Sequence, residues 1–313
     1  MKISVVGPGA LGCLFAAILA EAGHQVWLLD HRVERARLIE DQGIYLHDRQ
    51  GQRRVSVRAT ADPAQIGMVQ LAFLCVKSAV VEGAARNLLP ILGSESLLIA
   101  LQNGIAHHRL LTEILPFWAL GITAQGANLL GPGSVRHGGF GPTYLGFLAD
   151  VDELIKHRLQ GAVDLMSHAG IATSFSSDIL AVAWNKLIVN AGINALTALE
   201  DCANGELLAR PAALATLKAA VREAAQVGKA CGIRIASDPV TMTVGVCRET
   251  AENISSMLQD IRQRRHTEIE AINGVIVRQA AAFGILVPTN QALLAGVKAL
   301  EAEIESHPSL LPQ

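Results

Sequence analysis

The first two dozen residues constrain the fold more than any other stretch. Lys2-Ile3-Ser4-Val5-Val6 is a short apolar run suited to a buried parallel strand. It enters Gly7-Pro8-Gly9-Ala10-Leu11-Gly12 at once and continues into Cys13-Leu14-Phe15-Ala16-Ala17-Ile18-Leu19-Ala20, a helix closed by Gly23. A G-x-G-x-x-G turn between strand and helix is the dinucleotide-binding turn of a Rossmann-type sheet. The first glycine permits the tight turn, the second lets backbone approach a pyrophosphate, and the third lets helix and strand pack closely. The free N–H groups and partial positive charge of the helix N-terminus then face the phosphates. The competing interpretation is a glycine-rich bend that holds no nucleotide.

Strand two, Gln25 to Leu29, ends at Asp30-His31-Arg32. An acid at this place accepts hydrogen bonds from the adenosine ribose of NAD, whereas a nearby arginine holds the 2′-phosphate of NADP. Asp30 favours the first; Arg32 and Arg35 favour the second. The apolar runs from Met68 to Val76 and from Ser96 to Leu101 read as further strands, ending at Lys77 and at Gln102-Asn103-Gly104. Ligands sit beyond the carboxyl ends of such strands, which makes Lys77 and Asn103 candidates, although each also fits an ordinary loop. Glycine-rich sequence between Gly121 and Leu148 predicts short strands and turns, Val151 to Ala169 a helix, and Ile171 to Phe175 a last strand. From Asp178 onward the pattern is helical almost throughout. At 313 residues the chain is long enough for two domains of ~150 residues. The expected class is therefore α/β: a doubly wound Rossmann-type domain over residues 1–175, then an all-helical domain over 176–313.

The helical half opens with Ile179 to Leu199, a proline-free run with Asp178 as candidate N-cap. Lys186, Asn190 and Asn194 follow at i, i+4 and i+8 and share a stripe within an arc of about 80°. Trp184, Leu187, Ile188 and Ala191 flank it on one side; Val182, Val189, Ile193 and Leu196 flank it on the other. A helix apolar on both flanks is buried, so the three polar groups need partners. Those partners are either an internal hydrogen-bond network or a ligand. A second informative segment is Asn253 to Ala280, where Leu258, Ile261, Ile269, Ile272 and Ile276 make one core-facing stripe on an ideal helix. Glu268 lies about 20° beyond Ile261, at the stripe's edge, and reads as a surface carboxylate or as a cleft residue. Ser256 lies on the far side of that ideal helix, so a bend is needed to bring it and Glu268 into one site.

Half the residues are hydrophobic and 17% are charged, with net charge −2. That excludes a disordered chain and gives no basic footprint for nucleic acid. Cys13, Cys75, Cys202, Cys231 and Cys247 are scattered without a CxxC pair, which reads as free thiols in a reducing compartment and no metal site. Without a charged leader or an uninterrupted apolar run of membrane-spanning length, the expected location is cytoplasmic, with no membrane partner.

Gly7-Pro8-Gly9-Ala10-Leu11-Gly12, Cys75-Val76-Lys77, Gln102-Asn103-Gly104, Trp184-Asn185-Lys186-Leu187-Ile188-Val189-Asn190 and Ser255-Ser256-Met257-Leu258-Gln259-Asp260-Ile261 occur in this order. Arg265-His266-Thr267-Glu268-Ile269 and Ile272-Asn273-Gly274 follow. Over nearly its whole length the chain resembles the ketopantoate reductase (2-dehydropantoate 2-reductase) family. The resemblance implies a Rossmann domain, a helical domain and an active site in the cleft between them. It implies reduction of 2-dehydropantoate to (R)-pantoate with NADPH, on the way to pantothenate and coenzyme A. Lys186 matches the family's proton donor, and Glu268 a carboxylate near cofactor and substrate. Asn190, Asn194, Asn204 and Ser256 match substrate-binding positions, with Asn253 a neighbouring candidate. Asn103 matches a residue near both nicotinamide and substrate, and Ala127 a cofactor contact, beside the Gly7–Gly12 turn, Arg32 and Lys77. Two departures stand out: Asp30-His31 where the family commonly has an arginine, and Ala195 where a proline is frequent. The first keeps NAD open beside NADP. The expected partners are a small-molecule 2-oxo acid and, at most, a second copy in a homodimer. Two alternatives share the scaffold: a reductase of another branched 2-oxo acid, and a non-catalytic NAD(P)-sensing protein.

Overall fold

The computed structural model describes residues 1–104, 107–115 and 117–306. Residues 307–313 of the expected second domain lie outside the described residues. The chain divides into two compact units. The first comprises Met1–Gln102 and His107–Ile179; the second resumes at Leu180 and also takes in Asn103.

The first unit is built on one mixed sheet. Its strands are β1 (Lys2–Val6), β2 (Gln25–Leu29), β3 (Ile44–Asp48), β4 (Gly51–Val55), β5 (Arg58–Thr60), β6 (Val69–Leu74), β7 (Leu92–Ala100), β8 (Trp118–Gly131), β9 (Ser134–Gly146) and β10 (Thr173–Phe175). Its helices are α1 (Ala10–Glu21), α2 (Val33–Gln42), α3 (Val81–Leu88), α4 (His108–Ile114) and α5 (Glu153–His168). The spatial order is β4-β3-β9-β8-β7-β6-β1-β2-β5, with β10 paired to β9. From β5 to β8 all neighbours are parallel, and the chain order reverses between β1 and β6. That reversal is the switch point of a doubly wound sheet, where a crevice opens beyond the strand ends. Ile3 and Val5 of β1 and Leu28 of β2 are fully buried, as parallel strands covered on both faces require.

Two stretches differ from expectation. The glycine-rich segment forms not several short strands but one long antiparallel hairpin, β8 with β9, whose register shifts at Thr123/Gln125 and Gly126/Ala127. At the crowded middle, a Cβ on Gly126 would stand 2.9 Å from the Gly139 nitrogen, so glycine here permits strand contact rather than a turn.

The second unit is helical: α6 (Ile179–Glu200), α7 (Glu206–Ala209), α8 (Pro211–Ala230), α9 (Pro239–Glu249), α10 (Ser256–Arg262), α11 (Asn273–Ala282) and α12 (Pro288–Ser306). By length and composition α6 could cross a membrane, but 67% of its most apolar window is buried inside the fold. The stripe expected on a single helix over 253–280 is split. α10 ends at Arg262, Arg264 takes a left-handed conformation (φ 54°), and the Arg265 N–H returns to the Asp260 carbonyl at 2.8 Å. After a 3₁₀ turn, Ile269–Ala271, the chain enters α11. A buried amide network fixes where α11 starts. Asn273 Nδ2 donates to the Ala191 carbonyl of α6 (3.2 Å) and to Asn290 Oδ1 (3.0 Å). Asn290 Nδ2 donates to Glu223, whose carboxylate also accepts the Thr289 and Asn290 N–H groups at the start of α12.

Candidate active site

In the first unit, Gly7 to Gly12 leaves β1 and starts α1. Gly7 has φ +95°, and a Cβ on Gly12 would stand 1.9 Å from the Gly7 carbonyl oxygen. Only glycine lets the turn close so tightly on the helix. Gly9 is the N-cap of α1; no side chain caps the helix, and a Cβ at Gly9 would meet open space. The first-turn N–H groups are thus left for an anion, and backbone can approach it. Beside this turn lies a cavity of about 640 Å³ lined by Gly7, Asp30, His31, Val76, Arg86 and Asn87, among others. A cradle with an uncapped helix end and an apolar-walled cavity fits a dinucleotide. Arg32 is exposed at the N-cap of α2 and Lys77 exposed after β6. Ala127 is half-buried in β8, opposite His137. Asp30 is buried, and its carboxylate is held by Arg35.

In the second unit, Lys186, Asn103 and Glu268 form a chain of hydrogen bonds. Lys186 Nζ donates to Asn103 Oδ1 (2.9 Å), and Asn103 Nδ2 donates to Glu268 Oε2 (2.9 Å). The amide orientation follows from chemistry, since an ammonium only donates and a carboxylate only accepts. Asn103 reaches this place because Gly104 (φ +79°) packs on the 3₁₀ turn, where a Cβ would stand 2.3 Å from the Ala271 oxygen. The break after α10 sets Glu268 just ahead of that turn, so it is not a surface charge on a continuous helix. Lys186 as a residue is half-buried, but burial dominates its ammonium and lowers its pKa to about 8, with the negative charge of Glu268 opposing.

One and two turns along α6 stand Asn190, half-buried, and Asn194, 7% exposed. Among the described residues neither side-chain amide makes a hydrogen bond, and neither amide is sealed from solvent, so both are open to a ligand. At the far end of the stripe the hydroxyls of Thr197 and Ser255 are hydrogen-bonded at 2.7 Å, and Ser255 caps α10 through the Leu258 N–H. This anchors exposed Ser256 to α6 within a turn of Asn194. Glu268, through Asn103, is thus linked to the Lys186 end of the stripe and Ser256, through Ser255 and Thr197, to its Asn194 end, the two ends lying about 12 Å apart along the helix. Asn204 is buried, donates to Thr250 Oγ1 (2.9 Å) and leaves its Oδ1 without a partner among the described residues. Its N–H meets the carbonyl of Asn253, whose residue is exposed. Three residues escaped the sequence reasoning. Thr197 and Ser255 join the helices, and Gln102 donates from Nε2 to the Leu74 and Val76 carbonyls, tying the ends of β6 and β7. The available signal was a polar residue at the end of an apolar run. Among the described residues no metal-binding cluster of His, Cys, Asp or Glu is present.

A family model described as ketopantoate reductase PanE/ApbA matches residues 3–150, and its C-terminal counterpart matches residues 178–301. The 2-dehydropantoate 2-reductase of Halobacterium salinarum is 33% identical over 299 residues, 94% of this chain and 96% of its own length. That of Vibrio cholerae is 34% identical over 307 residues, 96% and 98% of the two chains. Among solved structures, a PanE/ApbA family ketopantoate reductase from Ralstonia eutropha superposes with a TM-score of 0.88 at 29% identity, covering 97% of this chain and 100% of that one. D-mandelate dehydrogenase with NADH and anilino(oxo)acetate superposes at 0.90 with 26% identity and the same coverage. With both halves matched and coverage near complete in each direction, the chain belongs to the ketopantoate reductase family, NAD(P)-dependent oxidoreductases acting on a CH–OH group.

Proposed function

We propose that this chain reduces 2-dehydropantoate to (R)-pantoate with NADPH, a step toward pantothenate and coenzyme A, and that Lys186 donates the proton. The observation that carries this reading is the α6 stripe. An ammonium tethered at 2.9 Å by Asn103 shares one helix face with two amides that make no hydrogen bond among the described residues.

The Gly7–Gly12 turn and the N-terminus of α1 hold the dinucleotide pyrophosphate, Arg32 serves the adenosine ribose end, and Lys77 and Ala127 add contacts. When bound, the dinucleotide supplies a hydride to C2 of the 2-oxo acid. The Lys186 ammonium polarises the C2 carbonyl and passes a proton to its oxygen as negative charge develops there, leaving a neutral amine that solvent reprotonates. A pKa of about 8 keeps the group largely protonated at neutral pH and makes it a stronger acid than an ordinary lysine. Asn103 fixes the direction of the ammonium, and Glu268 sustains its charge. Asn190 and Asn194 offer amides to the substrate carboxylate and hydroxyl, and Ser256, Asn204 and Asn253 close the far end of the stripe.

The likeness to D-mandelate dehydrogenase favours one second reading, reduction of another 2-oxo acid branched next to the ketone. Following NADPH oxidation with 2-dehydropantoate beside a panel of such acids tests both. The highest kcat/KM with 2-dehydropantoate is expected; a preference of tenfold or more for another acid selects the second reading, and no turnover with any of them refutes both.

A further inference from the structure

Asp30 stands where an acid takes the ribose hydroxyls in NAD-binding Rossmann domains. In this chain its carboxylate is covered. The side chain has 0% exposure. Oδ1 accepts from the backbone N–H groups of His31 (2.7 Å) and Arg32 (3.2 Å) and from Arg35 Nη2 (2.7 Å), while Oδ2 accepts from Arg35 Nε (2.5 Å). The paired N–H···O bonds of Arg35 hold the two planar groups side by side, a geometry lysine cannot reproduce. Arg35 reaches Asp30 because it lies in the first turn of α2, where side chains slant back toward the helix start. Its own side chain remains 25% exposed, and its Nη1 makes no hydrogen bond among the described residues.

We propose that Arg35 sets the dinucleotide preference by capping Asp30. Held in this pair, Asp30 is withheld from the 2′- and 3′-hydroxyls of NADH. Arg35 offsets its charge, and exposed Arg32 leaves the end of β2 with a surplus cation for a 2′-phosphate. Asp30 therefore does not weaken NADPH selectivity here, as an acid at this place does when its carboxylate is free. The usual cost of placing a carboxylate beside a phosphate is removed by the pair, and burial does not neutralise the acid, because the Arg35 hydrogen bonds hold its pKa below the ordinary carboxylate value against desolvation.

This rests on the NADPH reading, and the test separates the two. Dissociation constants for NADPH and NADH, and for 2′,5′-ADP and 5′-AMP, are measured by fluorescence titration without substrate. The proteins are the full-length wild type, Arg35→Ala, Asp30→Asn and Arg35→Ala/Asp30→Asn, each with its melting temperature. Arg35→Ala is expected to weaken NADPH and 2′,5′-ADP at least tenfold and to strengthen NADH severalfold. In the double variant the gain for NADH disappears, and Asp30→Asn alone leaves NADH binding within twofold of wild type. Should Arg35→Ala not fold, Arg35→Gln replaces it with the same expectations. Loss of NADPH affinity with NADH unchanged would make Arg35 a phosphate contact and overturn the capping role. A fall in NADH affinity in Asp30→Asn would do the same. A wild type that binds NADH more tightly than NADPH defeats the NADPH reading instead, whatever the variants do.

Discussion

The depressed pKa of Lys186 has a direct kinetic consequence. Burial pulls the ammonium from the ordinary 10.5 to about 8, against the opposing charge of Glu268. With that value about 90% of the lysine is protonated at pH 7, half at pH 8 and only about 10% at pH 9, whereas an unperturbed lysine stays about 96% protonated at pH 9. If the protonated form is the one that reacts, kcat/KM for the 2-oxo acid falls about tenfold between pH 7 and pH 9. Initial rates of NADPH oxidation at low substrate, from pH 6 to 10 at constant ionic strength, measure this. A profile flat to pH 9.5 in enzyme that remains folded would refute the link between burial and acid strength. An unchanged alkaline limb in Lys186→Ala would assign the titration to another group.

Other expectations rest on separate features. Glu268→Gln removes the charge that supports the ammonium, so the alkaline limb should move to lower pH and activity at pH 8 should drop; an unmoved limb would return Glu268 to a passive role. Gly12→Ala places a methyl against the Gly7 carbonyl and should destabilise by roughly 1–3 kcal/mol while weakening NADPH binding; wild-type binding would contradict the tight-turn argument. His107, 3% exposed with neither ring nitrogen paired among the described residues, has its pKa lowered by burial to about 4, and neighbouring His108 to about 3. The folded state holds both neutral, so stability should be full above pH 6.5 and fall as pH drops from 6.5 toward 4. For His107 the loss is on the order of 3 kcal/mol. A denaturation midpoint constant from pH 7 to 4.5 would show that the pair does not resist protonation.

Where physical chemistry acts locally, the fold was legible in the sequence. β1 and β2 run where the apolar segments do, because parallel strands covered on both faces are built mainly from apolar residues, with Ser4 as the one small polar residue buried in β1. The β8–β9 hairpin was harder to see. Its glycines look like turns but serve close strand contact, a property of the partner strand. The split between α10 and α11 was hidden because Leu258, Ile261, Ile269, Ile272 and Ile276 keep helical phase across a break that is not helical. That break is what places Glu268 beside Asn103. The Lys186, Asn190 and Asn194 stripe was visible as polarity on a helix apolar on both flanks. The tether on its ammonium was not, because it comes from Asn103, distant in sequence. The Asp30–Arg35 pair was equally hidden, since it depends on how α2 leaves β2, and the sequence alone left the two residues pulling in opposite directions.

The most direct test of the proposed chemistry is Lys186→Ala, assayed in one preparation for kcat, NADPH affinity and melting temperature. The expected result is a folded protein that binds NADPH within about twofold of wild type and loses roughly 10²–10⁴-fold in kcat with 2-dehydropantoate, the range for a positioned general acid. A folded variant that binds NADPH and turns over 2-dehydropantoate at the wild-type rate would contradict Lys186 as the proton donor.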